Sequence, residues 1–252
     1  MSKLSSKALG SQSIGSLLIK QALPASVGIL VMSLNILVDT IFVGNWIGTT
    51  AIAAINIVLP VSFFIAALGM AIGVGGSSVL SRALGAGKFE TALQTFGNQI
   101  TLTLSLTVFL VVFGLIFQSQ IIPLFGGKGN IFSLAKIYYV IVLYGVPILA
   151  LCMMGNTVIR AEGKPKYAMY AMLIPSVSNL LLDYIFIKVF QFGMYGAAWA
   201  TTGSYFLSFV FILWFFLSGR TELKLKLNHF IPVYALVKEI SSLGFVTLSR
   251  QA

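Results

Sequence analysis

A chain of 252 residues with 58% hydrophobic and only 9% charged side chains lacks the polar surface of a soluble domain, which carries about 25% charged residues. With mean hydropathy at +0.98 it reads as a polytopic membrane protein, and its long unbroken apolar runs favour helices over a barrel, whose strands alternate. The single cysteine, Cys152, excludes a disulfide framework and a cysteine-based metal cluster, and the net charge of +10 belongs to membrane topology rather than to nucleic-acid binding.

In chain order, residues 1–15 read as a polar, basic tail with Lys3 and Lys7, and no cleavable signal is evident. The first span covers residues 16–44, with Lys20 near its start and Pro24 inside it. The second covers 51–80, with Pro60 and a glycine cluster at Gly69, Gly73, Gly75 and Gly76. The third covers 91–117, the fourth 132–159 with Pro147, the fifth 167–190 with Pro175, and the sixth 194–217. Glycine-rich connections punctuate them at 81–90, 125–130 and 160–166. Domain by domain, this gives a tail at 1–15, a six-helix lobe at 16–218, a charged linker at 219–239 and an apolar stretch at 240–252. Those last 13 residues make about 20 Å of helix, too short to span, so a seventh helix cut off at its start is expected. A bilobed transporter read only to the start of its second half has this form.

Six spans put both ends of the bundle on one side. Twelve cations fall there: Lys3, Lys7, Lys20, Arg82, Lys88, Arg160, Lys164, Lys166, Arg220, Lys224, Lys226 and Lys238. The opposite side has Lys128, Lys136 and Lys188. The bias predicts a cytoplasmic amino terminus in the cell membrane.

Two acids interrupt the apolar runs, Asp39 in the first span and Asp183 in the fifth. A charge at that depth costs a few kcal/mol on insertion scales, so it needs a partner or a use. Asn35 and Asp39 are four residues apart, and so are Asn179 and Asp183, which puts each pair on one helix face. Thr201 and Thr202 add hydroxyls early in the sixth span. An all-oxygen set of this kind suits a hard cation or a proton, and the expectation is one shared site for an ion-coupled carrier. Taken singly, the amides and threonines are equally well read as packing polars. Pro24 is the expected hinge, since bending there moves Asp39. No enzyme is expected. The single His229 lies in the charged linker, so no histidine triad or zinc site forms within the spans. An intramembrane aspartyl protease is the remote alternative, and no GxGD follows the acids to favour it.

These residues resemble the multidrug and toxic compound extrusion (MATE) family, in its prokaryotic DinF-like and MepA-like part. The resemblance is carried by Pro24 with VDTIFVGNWIG, ALGMAIGVGGSSVLSRALGAGK, NTVIRAEGKPKYAM, NLLLDYIFI and GMYGAAWATTGSY. It implies an all-α bundle of two six-helix lobes, of which this chain supplies the first, the linker and the opening of the seventh helix. It also implies a Na⁺- or H⁺-coupled antiporter exporting organic, often cationic, compounds, with no cofactor beyond the coupling ion. A cation site is implied at Asp39, Asn179, Asp183 and Thr201, with Asn156 lining the same cavity beside Asn35 and Thr202. The missing second lobe is the implied partner, alongside membrane lipids. Alternatives are a flippase for lipid-linked substrates in the same superfamily and a non-transporting half.

Overall fold

The computed structural model describes residues 14–249, so most of the expected tail and the last three residues lie outside the described part. Its helices are α1 (Ile14–Trp46), α2 (Thr49–Gly85), α3 (Phe89–Ile116), the short α4 (Gln118–Leu124), α5 (Asn130–Ala161), α6 (Pro165–Asp183), α7 (Gly193–Leu217) and α8 (Tyr234–Ser249). A π-helical turn, Tyr184–Val189, continues α6, and a 3₁₀ turn, Leu227–Phe230, lies between α7 and α8. Six of these helices are long and apolar enough to cross a membrane, the shortest with 25 residues, or about 37 Å. The chain is an all-helical, multi-pass membrane protein.

Sharp turns separate the spans at one end of the bundle. Gly87 and Gly163 adopt left-handed φ values of 71° and 74°, which only glycine takes without strain. Each lets the next N–H reach back across the helix end: Lys88 to Ala83 O at 2.9 Å, and Lys164 to Ile159 O at 3.2 Å. Pro165 then opens α6 at a position where a missing N–H costs nothing.

Helix α5 is the centre of the bundle and packs most extensively on α2. In its most apolar window 56% of residues are buried, against 11% in α1, which leans mainly on α6 and leaves Leu30, Leu34, Leu37 and Ile41 exposed. The α2–α5 contact is set by glycines one turn apart. A Cβ on Gly69 would sit 2.7 Å from Ala150 Cα, and one on Gly73 would sit 2.9 Å from Met154 Cα. Small residues at this spacing let two backbones approach where lipid offers no hydrophobic drive. Gly69→Val is therefore expected to push α2 off α5 and to destabilise the lobe by about 1–3 kcal/mol. Thermal unfolding in detergent micelles measures this, and an unchanged midpoint contradicts it.

The segment after α7 is folded onto the lobe rather than hanging free. Glu162, buried just beyond α5, accepts hydrogen bonds from Thr221 Oγ1 (2.5 Å) and the Glu222 N–H (3.1 Å). Burial pushes the Glu162 carboxyl above the usual carboxylate range, and the Thr221 hydroxyl, Lys164 and the Glu222 N–H oppose it. Further on, Asn98 of α3 donates to His229 O (3.2 Å) and Ile231 O (3.0 Å) and accepts from the Val233 N–H (2.7 Å). Thr101 Oγ1 donates to Phe230 O at 2.8 Å. Gly97 makes room for this: a Cβ there would sit 2.2 Å from His229 O. Buried His229 accepts the Lys226 N–H at Nδ1 (2.9 Å), so its Nε2 carries the hydrogen that faces Glu90 Oε1 at 3.0 Å.

The sequence places the start of the last helix at residue 240, whereas α8 begins at Tyr234. Pro232 cannot extend a helix backwards, and the Asn98 side chain holds the Val233 N–H just outside the first turn. The charges that made 238–239 look like linker lie on the helix instead, where Glu239 pairs with Arg82 of α2 at 2.7 Å. Helix α8 meets α2 closely as well, since a Cβ on Gly75 would sit 2.2 Å from Ile240 O.

Candidate functional site

Helices α1 and α6 run side by side, and their contacts climb both chains in step. A Cβ on Gly28 would sit 2.9 Å from Met172 Sδ, so the pair starts close. One turn and more above, Asn35 Nδ2 donates to Asn179 Oδ1 (2.9 Å) and to Ser176 O (3.2 Å). The next rung joins Asp39 to Asp183, whose side chains lie within hydrogen-bonding reach of each other. Trp46 then meets Tyr184 and Lys188. On α1 these positions, 28, 35, 39 and 46, are spaced by seven, four and seven residues, which is a single helix face.

The two rungs differ in kind. The amide rung is complete as it stands, because Asn35 supplies the donor and Asn179 the acceptor. The acid rung has no donor of its own. Asp183 is 0% exposed, and neither of its carboxylate oxygens meets a protein donor among the described residues. Two bare carboxylates do not bond; a proton on one of them, or a cation between them, has to supply the link.

Two further helices close the site. On α7, Thr201 Oγ1 donates to Ala197 O (3.0 Å), so its contact with Tyr138 of α5 (3.2 Å) takes the phenol as donor. Tyr138 lies within electrostatic reach of both aspartates, and Tyr205 of α7 within reach of Asp39. Directly after Asp183 the chain widens into the π turn, with Phe190 N–H bonding Ile185 O at 2.9 Å, five residues back. Such turns recur at functional positions in helices.

Of the residues singled out from sequence, the fold brings Asp39, Asp183, Asn35 and Asn179 together, and Thr201 joins them through Tyr138. Asn156 and Thr202 make their hydrogen bonds elsewhere, and Pro24, the expected hinge, sits further along α1. Asn156 is buried but donates to Ala168 O (2.6 Å), 15 residues before Asp183 and so about 22 Å down the helix. Thr202 donates to Ile141 O (3.2 Å) and packs against Gly145, so it ties α7 to α5. Pro24 lies within α1, also 15 residues and about 22 Å from Asp39. The Ser176 carbonyl and the Tyr138 and Tyr205 hydroxyls were not assigned to the site from sequence. The usable signal was that a mid-span phenol requires a polar partner, which aromatic stacking alone does not provide.

All the groups around Asp183 present oxygen, and the donor set fits Na⁺ or a proton. Among the described residues no group of three or more His, Cys, Asp or Glu side chains stands ready for a transition metal.

Known proteins resemble this chain in sequence and fold. The MatE family model matches residues 24–185. The Bacillus subtilis protein named "Probable multidrug resistance protein YoeA" is 31% identical over 185 residues, which is 72% of this chain and 40% of that protein. The multidrug export protein MepA of Staphylococcus saprophyticus is 27% identical over 89% of this chain and 50% of its own length. A solved outward-facing structure of a multidrug resistance MATE family transporter superposes with a TM-score of 0.90 at 30% identity, covering all of this chain and 56% of that one. The chain thus spans about half the length of the curated relatives it matches. With the family profile reaching from Pro24 to just past Asp183 and the whole chain following a transporter lobe, the protein belongs to the MatE family.

Proposed function

We propose that this chain is the first lobe of a cation-coupled efflux transporter that exchanges Na⁺ or H⁺ for an organic, often cationic, compound across the cell membrane. The observation that carries the reading is the acid rung. Asp39 and Asp183 lie 144 residues apart in sequence and meet side by side, and Asp183 is fully buried with no protein donor on either oxygen. Binding a proton or Na⁺ closes the rung, and losing it sets two negative charges against each other between α1 and α6. That differential interaction is what lets an ion bias a conformational equilibrium. Asn179, Thr201 and Tyr138 complete the oxygen set, and Asn35 keeps Asn179 in register.

The end of the bundle with the docked linker is read as cytoplasmic. Arg82, Lys88, Arg160, Lys164, Lys166, Arg220, Lys224 and Lys226 gather there, and the opposite end has Lys128, Lys136 and Lys188. The second half of the transporter would cover the exposed face of α1, and lipid the rest.

Ion dependence of ethidium efflux, in cells expressing the protein that carries this chain, tests the reading. Proton coupling predicts efflux that follows the pH gradient in sodium-free buffer, and sodium coupling predicts its loss there. Efflux indifferent to both gradients removes the coupling role of the acids.

A further inference from the structure

We infer that Trp46 and Tyr184, with Phe42 packed against Trp46, form a two-walled aromatic cage for an organic ammonium at the end of the lobe opposite the linker, entered in this structure by the side chain of Lys188. The Phe42 and Trp46 rings lie 4.3 Å apart between centroids, and Tyr184 meets Trp46 edge-on at 5.9 Å and 69°. Lys188 Nζ sits over the Trp46 ring, 5.7 Å from its centroid. Among the described residues no carboxylate pairs with that ammonium, which lies over the Trp46 face. Ammonium groups over tryptophan are held by the ring quadrupole, and cages of several rings recognise quaternary ammonium ligands in the same way.

The π turn shifts the lysine toward the side of Asp183. In an α-helix, residues five apart point about 140° away from each other, so Lys188 would face away from the side of Asp183. The wide turn has i→i+5 bonding, which carries Lys188 back over that side and onto α1. Trp46 lies two turns, about 10 Å, beyond Asp39 on the same face of α1, and Tyr184 directly follows Asp183. A cation in the cage therefore stands about two helical turns beyond the acid rung. Tyr184 and Lys188 are exposed on this lobe, and the tethered ammonium acts as the built-in competitor of a ligand in the cage.

As a way-station on an export path the cage rests on the efflux reading, but its ligand binding does not require transport. The chain has three tryptophans, and replacing Trp199 and Trp214 with phenylalanine leaves Trp46 as the sole indole reporter. Phenyltrimethylammonium, titrated into this chain in detergent micelles, is expected to quench Trp46, and its neutral isostere tert-butylbenzene is not. Lys188→Met and Lys188→Gln, at an exposed position, are each expected to tighten phenyltrimethylammonium binding about fivefold, and Tyr184→Leu to weaken it by a similar factor. Equal quenching by the charged and neutral probes overturns the cage, as does a titration that both Lys188 variants leave unmoved, the result expected if Lys188 and Trp46 only anchor the lobe at the membrane surface. Loss of the cage leaves ion-coupled efflux standing, and ion-independent efflux leaves the cage standing.

Discussion

Asp183→Asn is expected to abolish ion-driven efflux and, at the same time, to make the lobe more stable. The wild-type carboxylate is fully buried with no protein donor on either oxygen, facing the carboxylate of Asp39. An asparagine keeps the shape and brings an N–H that can donate to Asp39 without a proton or metal ion. A hydrogen bond to a charged group contributes about 1.5–3 kcal/mol. For a protein of this size each kcal/mol moves the unfolding midpoint by about 2–4 °C, so a rise of several degrees is expected. The permanent bond is also the reason activity goes: the rung no longer opens and closes with the ion. Thermal unfolding in micelles and ethidium efflux from cells, read on the same variant, check both halves. A lower midpoint would show that Asp183 is already satisfied by something other than Asp39, and preserved ion-driven efflux would remove it from the coupling site. Asp183→Ala serves as contrast, since it removes the charge but leaves a void, and a void in a packed interior destabilises.

Asn98→Ala is expected to release the linker. The Asn98 amide satisfies three linker backbone groups at once, the carbonyls of His229 and Ile231 and the N–H of Val233. It is 1% exposed, and truncating it removes the partner that ties those groups to α3, with the His229 carbonyl the one left buried. Leaving buried polar groups unmet costs about 1–3 kcal/mol each, which is enough to turn a docked segment into one that opens often. Lys224 and Lys226 lie in this stretch and give trypsin two cleavage points. At about 2–3 kcal/mol of lost docking energy, cleavage at these lysines should speed up by roughly 30- to 150-fold. Unchanged cleavage would mean that the Glu162–Thr221 contact holds the segment without help from α3.

What sequence could and could not convey follows from where each signal arises. The spans were legible because 25 or more apolar residues have few alternatives to crossing a membrane. The acid pair was legible because charge is so scarce in those runs that two carboxylates at matching depth point to each other. Asn156 and Thr202 were not. Spacing along one helix fixes which face a residue occupies, but the neighbour on that face depends on packing, and here the neighbours are Ala168 and Ile141. The true start of α8 was hidden for a similar reason: Lys238 and Glu239 look like linker in a list of charges, but Glu239 sits opposite Arg82. Asn98 and Thr101 passed unnoticed within an apolar third span, although their partners are backbone groups of a segment about 130 residues later. Nothing in the composition of 184–189 announces a wide turn; the six residues would fit an ordinary helix as well.

That wide turn also stores a choice of register. It holds one residue more than an α-helical turn needs, and a surplus residue can be handed along the helix one peptide at a time without unfolding it. Each such step rotates the intervening side chain by about 100° and advances it by about 1.5 Å. If the surplus passed toward Ser176, Asp183 would swing off the face it now shares with Asp39 while both ends of the helix stayed in place. Such local rewinding would change the face that the fifth span's acid presents to the first span while the two helices stayed packed.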